Sequence, residues 1–213
     1  MKYSALFLVF VLLLGCSTTR LKDSWRNPAY KEFNPNNVLI IGVTPDLETR
    51  NAFELQLKNE FYKRNIKALQ SAIVFESSFK DSKQTEIEIE NQIDTLLNKG
   101  YDTVIVSSVK GVDDKIAYVS ETSKTDYNLR KFKTYYLLSQ DLYFNDDYYE
   151  NYKVYHIETS LYNLKKDNEK ALIWVGYYDI IDPKDTKKTV DNYINAVIKS
   201  LEKEQLIPKS TSH

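Results

Sequence analysis

The chain has 213 residues, 42% of them apolar and 28% charged, with a formal net charge of −1. This is the composition of a globular protein with room for one good-sized domain, and it excludes both a disordered chain and a basic surface built to neutralise phosphates. Five glycines and five prolines argue against glycine-rich phosphate loops and against long proline-rich linkers.

The N-terminus reads Lys2, an apolar run from Tyr3 to Leu14, then Gly15 and Cys16. The run is about twelve residues, whereas a spanning helix needs roughly 20, so its length is that of a signal peptide. Leu13-Leu14-Gly15-Cys16 resembles the lipobox of bacterial lipoproteins. That resemblance implies cleavage between Gly15 and Cys16, a diacylglycerol thioether on the sulfur and a fatty acid such as palmitate on the new amine. It also implies an address at a membrane surface beyond the cytoplasm. Ser17 follows the cysteine, which in the class goes with sorting to the outer membrane, facing the periplasm. Cys16 is the only cysteine, so a mature chain lipidated there has no thiol and no disulfide, and thiolate zinc sites and thiol redox chemistry are excluded.

Residues 16–37 are expected to form a lipid-anchored tether. Its second half, with Trp25, Pro28, Tyr30 and Phe33, is aromatic enough to lie against the domain. A single domain is expected over 38–207. Val38–Val43 is a continuous apolar run of the kind found in buried parallel strands. Phe53, Leu57 and Phe61 repeat every four residues and predict a helix over 48–64, with Asn65 as its left-handed stop. A second strand is expected within Ile66–Phe75. Thr85 followed by Glu88 is a capping-box pattern, and Ile89, Ile93, Leu96 and Leu97 supply the apolar stripe of a second helix ending at Lys99-Gly100. Asp102–Val109 returns as a β-branched strand.

Val154–Leu164 alternates: Tyr155, Ile157, Thr159 and Leu161 take one face, while His156, Glu158, Ser160 and Tyr162 take the other. With Ala171–Ile181 it predicts a hairpin with one wet face. Val190, Ile194, Val197, Ile198 and Leu201 predict a final helix over 187–204, before a loose tail at 208–213. The summed pattern is βαβαβ, a tyrosine-rich insertion over 118–152, then ββα. The fold class is α/β (α+β mixed), with one mixed sheet and helices packed on it.

Ser24-Trp25-Arg26-Asn27-Pro28, the Val38–Val43 strand, Arg50 entering the first helix and Tyr101-Asp102-Thr103-Val104-Ile105-Val106 resemble a family of envelope lipoproteins of unknown function. Its domain is similar to the small α/β domain of TolB and of the curli-secretion lipoprotein. The resemblance implies a fold and an address, and it brings no catalytic residue to carry over.

Nine tyrosines fall between positions 118 and 155. Tyr127, Tyr135, Tyr136, Tyr143, Tyr148, Tyr149 and Tyr152 are the candidates for a binding surface, because the ring offers an apolar face and a polar tip. The alternative is an extra hairpin packed on the sheet edge, as Leu137, Leu138, Leu142 and Phe144 favour. His156 and Glu158 point the same way from one strand and could move a proton, but they are too few for a zinc site. Asp113-Asp114, Asp146-Asp147 and Asp179…Asp182 lack calcium-loop spacing and read as solvated turns. Lys165-Lys166 and Lys187-Lys188 serve solubility or touch anionic lipid. The paired His-x-Lys-x(4)-Asp motifs of phospholipase D type enzymes, such as cardiolipin synthase, are absent. The expected protein is therefore a non-catalytic lipoprotein, without metal or cofactor. It would work as an envelope-assembly accessory with an envelope protein or glycan as partner and no nucleic acid. The alternative is a glycan-binding module using the tyrosines.

Overall fold

A computed structural model describes residues 19–31, 33–44, 46–75, 82–112, 115–116, 132–133, 136–137, 154–165, 171–181, 183 and 185–210. Seven strands form one sheet: β1 (Thr19–Arg26), β2 (Asn37–Val43), β3 (Lys67–Gln70), β4 (Thr103–Val112), β5 (Lys115–Ile116), β6 (Val154–Asn163) and β7 (Leu172–Ile181). The helices among the described residues are α1 (Leu47–Tyr62), α2 (Ser71–Val74), α3 (Glu86–Asn98) and α4 (Thr186–Lys203). The strand order is β1-β7-β6-β4-β2-β3, with β5 on the end of β4. β2 is parallel to β3 and β4; the pairs β4–β6, β6–β7 and β7–β1 are antiparallel. The mixed α/β sheet expected from the sequence is therefore present, with the parallel strands β2, β3 and β4 preceding the antiparallel pair β6–β7 in the chain.

Each element follows from its residues. β2 is apolar throughout because it is covered on both faces. Val38 and Ile40 enter the core under α1 and α4, while Leu39 and Ile41 enter the core under α3. α1 starts where the Asp46 carboxylate accepts the Thr49 N–H at 2.9 Å, and the turn after it closes with Asn65 at φ 59°. α3 begins with a complete capping box: Thr85 N–H donates to the Glu88 carboxylate at 2.7 Å, and Thr85 Oγ1 accepts the Glu88 N–H at 3.3 Å. Gly100 ends that helix at φ 84°, a conformation a side chain resists. β3 has only four residues, because the chain turns into α2 at Ser71. That turn accounts for the irregular alternation across Ile66–Phe75.

Two expectations are corrected. Residues 16–37 are not a tether throughout: from Thr19 to Arg26 they form the edge strand β1, paired with β7 from Thr19↔Ile180 to Arg26↔Trp174. Trp25, Tyr30 and Phe33 do pack on the core. Arg26 bonds the carbonyls of Glu204, Tyr30 and Lys31. Asn27 is fully buried and holds the Leu172 carbonyl at 3.0 Å. The Ser24–Pro28 element thus locks the N-terminal segment to β7 and to the end of α4.

The expected wet face of the hairpin, in turn, is covered from Glu158 to Tyr162 and stays partly exposed at His156, Tyr177 and Asp179. Glu158, Ser160 and Tyr162 are 2%, 0% and 0% exposed. α1 and α4 cover one side of the sheet; α3 and Phe132 cover the other. Polar residues on β6 mark buried hydrogen bonding here, as when Ser160 Oγ donates to Glu158 at 2.9 Å.

Candidate functional site

Among the described residues, the long helices α1, α3 and α4 begin at the end of the sheet where the parallel strands finish. β2 is followed by α1, which packs on one face; β3 is followed by α3, which packs on the other before the chain returns to β4. The first crossover leaves the carboxyl end of β2 and the second leaves that of β3 for the opposite face, so the strand order reverses at β2, between β4 and β3. In open α/β sheets this switch point is where ligands bind.

A crevice lies there. Gly42, Val43 and Thr44 come from β2 and its turn, Ser107 from β4, Thr49, Arg50 and Phe53 from α1, and Thr189 and Tyr193 from α4. The backbone at Gly42 is closely approached: a Cβ there would sit 3.2 Å from the Phe53 ring and 3.3 Å from the Arg50 side chain, which would have to shift by a few tenths of an ångström. The cavity is about 90 Å³ and almost wholly apolar-walled. Preformed small-molecule sites measure roughly 300–1,000 Å³, so the crevice has room for a few waters or the tip of a larger group.

Beneath it lies a ring of three buried hydroxyls. Ser107 Oγ is 2.9 Å from Thr159 Oγ1, Tyr193 donates to Ser107 Oγ at 3.1 Å, and Thr159 and Tyr193 share a third short bond. Burial pushes the Tyr193 phenol up to about 12, with the charge of Glu158 adding to the rise, so it is a neutral donor at pH 7. The Tyr193 ring stacks on Phe53 at 5.7 Å and meets Tyr178 edge-on at 5.4 Å. The hydroxyls satisfy one another, and this meets the requirement for partners that burial imposes.

Arg50 and Glu54 sit behind the same wall at 7% and 0% exposure. Glu54 Oε1 accepts the Gly42 N–H at 2.9 Å and the Ser71 hydroxyl at 2.6 Å. Glu54 Oε2 and Arg50 Nε have no hydrogen-bond partner among the described residues. Desolvation raises the Glu54 carboxyl above the ordinary range, against the opposing pull of Ser71, the Gly42 and Ala72 N–H groups, and Arg50.

His156 and Glu158 were expected as a pair pointing the same way. The contact of His156 is instead across the sheet, where Nδ1 lies 2.7 Å from Asp179, its direct register neighbour on β7. Asp179 also meets Lys22 of β1 at 3.4 Å. Asp179 is therefore a strand residue with a 14% exposed side chain, where a solvated turn was expected. Only the strand register reveals that partner, and no spacing along the chain encodes it. Among the described residues no group of three His, Cys, Asp or Glu could hold a metal ion.

Of the residues singled out from the sequence, Gly15, Cys16, Tyr127, Tyr135, Tyr143, Tyr148, Tyr149 and Tyr152 lie outside the described residues. Tyr136 is half-buried against the core, its ring 5.7 Å from Phe132, which in turn meets Tyr162 at 5.7 Å. The crevice residues were not anticipated as a group. They meet only because β4 and β3 flank β2 in the sheet, a strand order that the sequence does not display.

No protein-family model matches the chain, and no curated protein matches its sequence. Among solved structures it is similar to the PelC dodecamer from Paraburkholderia phytofirmans, at 9% identity and a TM-score of 0.44, over 86% of this chain and 96% of that one. It is also similar to the lipoprotein GNA1162 from Neisseria meningitidis, at 11% identity and a TM-score of 0.39, over 78% and 96% of the two chains. At these scores the likeness carries no argument about function. No helix among the described residues is long and apolar enough to cross a membrane.

Proposed function

We propose that this chain is a lipid-anchored domain of the bacterial envelope, held at the outer membrane on its periplasmic side, which works by binding an envelope partner. The observation that carries the reading is Cys16, the sole cysteine, closing an apolar leader of signal-peptide length in Leu-Leu-Gly-Cys. Two or more acyl chains hold a protein firmly where one holds it marginally, so the modification would make attachment permanent. The three hydroxyls beneath the crevice bond one another, and at about 90 Å³ the crevice is far smaller than a preformed substrate pocket.

Intact-mass spectrometry of the chain extracted from membranes of its native host tests the reading. The expected species begins at Cys16 and carries three fatty acids, and Cys16→Ser moves the protein from the membrane fraction to the soluble periplasmic fraction. A mature N-terminus elsewhere, or an unacylated Cys16, overturns it.

A further inference from the structure

The first described strand begins close in the chain to Cys16. β1 begins at Thr19, and its first register partner is Ile180, one residue from the end of β7. β7 is antiparallel to β6, β6 is antiparallel to β4, and β4 is parallel to β2. The start of β1 therefore lies at the same end of the sheet as the carboxyl ends of β2, β4 and β7. The first residues of α1 and α4 are at that end too. Cys16 precedes Thr19 by three positions, and three extended residues reach about 10 Å at most. No long linker separates the fold from the lipid.

We propose that the strand-carboxyl end of the domain is the face set against the phospholipid bilayer that holds the anchor. This inference rests on acylation at Cys16. The surface at that end fits an interfacial position. Leu47 opens α1 at 58% exposure and Ile181 ends β7 at 46%, and Ile87 in the first turn of α3 is 69% exposed; Tyr62, at the far end of α1, is 60% exposed. Lys187 and Lys188 stand exposed at the start of α4, with Lys187 reaching Asp191 at 3.3 Å. Asp46, Glu48 and Asp185 share the end, and two of these carboxylates are occupied as helix caps. Charges of both signs are present, so the anchor and the apolar side chains at that end set the orientation rather than net charge. The crevice between β2 and β4 then opens onto the lipid headgroups. The opposite pole, with Asn98–Gly100 and Gln205–Ser210, is the one presented to partners in the periplasm.

Nitroxide labels on the full acylated chain test this. Cys16 is consumed by the lipid, so single cysteines introduced as Leu47→Cys, Lys188→Cys, Lys99→Cys and Lys209→Cys carry the only label. Each variant is reconstituted into vesicles of phosphatidylethanolamine and phosphatidylglycerol. Collision rates with oxygen, which partitions into lipid, and with a water-soluble nickel complex are then measured. The expected result is a several-fold fall in nickel access at 47 and 188 relative to 99 and 209. Acylated protein with equal access at all four positions overturns the orientation and leaves the anchor intact. Shielding at 188 with full access at 47 overturns it as well, because the domain would then lie on its β1 edge. Mass spectra of the same samples lacking fatty acids at Cys16 overturn the anchoring reading, and this inference with it.

Discussion

Glu54 is a carboxyl group in the middle of α1 with no exposed surface. One of its oxygens ties the last turn of β2 to the first residue of α2; the other has no hydrogen-bond partner among the described residues. Burial favours the neutral form, so the folded state holds the proton at pH values where the unfolded chain has released it. The linkage then runs one way. The stability this group contributes is full below about 4.5 and is lost as pH rises through the raised folded value, at up to about 1.4 kcal/mol per pH unit. Glu54→Gln keeps an acceptor for Gly42 and Ser71 and removes the titration. Urea denaturation from pH 4.5 to 8 should show the variant losing less stability with rising pH than the parent; parallel curves would refute the assignment. Gly176 makes a different point at the same scale. A Cβ there would lie 2.6 Å from the Trp174 ring, so the glycine in mid-strand is set by the ring packed over it.

Elements are joined by a few side chains that the apolar stripes do not predict. α1 and α4 lie side by side on one face of the sheet, and Arg64 clamps them just past the end of α1. Its Nε and Nη2 both donate to Glu202 Oε1, at 2.9 and 2.7 Å, while Nη1 donates to the carbonyl and carboxylate of Glu60 at 2.7 and 2.8 Å. Only 6% of the Arg64 side chain is exposed. Arg64→Ala leaves two partly buried carboxylates short of donors and should cost about 2–3 kcal/mol in denaturant unfolding. Arg64→Lys should recover only part, since an ammonium cannot reproduce the fork. A loss within about 0.5 kcal/mol, typical of a surface change, would show that the clamp is idle. The stripes themselves were legible. Phe53, Leu57 and Phe61, and the five apolar positions of α4, are all buried as their spacing requires. Arg64 was not, because its partner on α4 is brought near only by packing.

For the whole molecule, the N-terminal segment matters most. β1 covers the edge of β7, Trp25 lies on one core, and Asn27 fills a fully buried position with both its backbone N–H and its side chain engaged. A chain starting at residue 38 would bare the length of β7 and empty those sites. It should show no cooperative thermal transition by near-ultraviolet circular dichroism, whereas a chain starting at residue 17 should melt in one step. Cooperative melting of both within a few degrees would show β1 to be dispensable. The same edge strand begins three residues after Cys16.

What the sequence determined by itself was local and periodic. The apolar run closed by Cys16, the caps at Thr85 and Gly100, the stop at Asn65 and the order βαβαβ–ββα all follow from neighbours a few positions apart. Such features depend on backbone geometry and on which face of one element is apolar. Tertiary structure decided the rest. It set the covering of β6 on both faces, the pairing of His156 with Asp179, the edge strand made from an apparent tether, and the crevice where β2 and β4 end. Each of these depends on which strand lies beside which, and in what register. The chain encodes that register only through the summed packing of distant residues, so it can be read only once the fold is assembled.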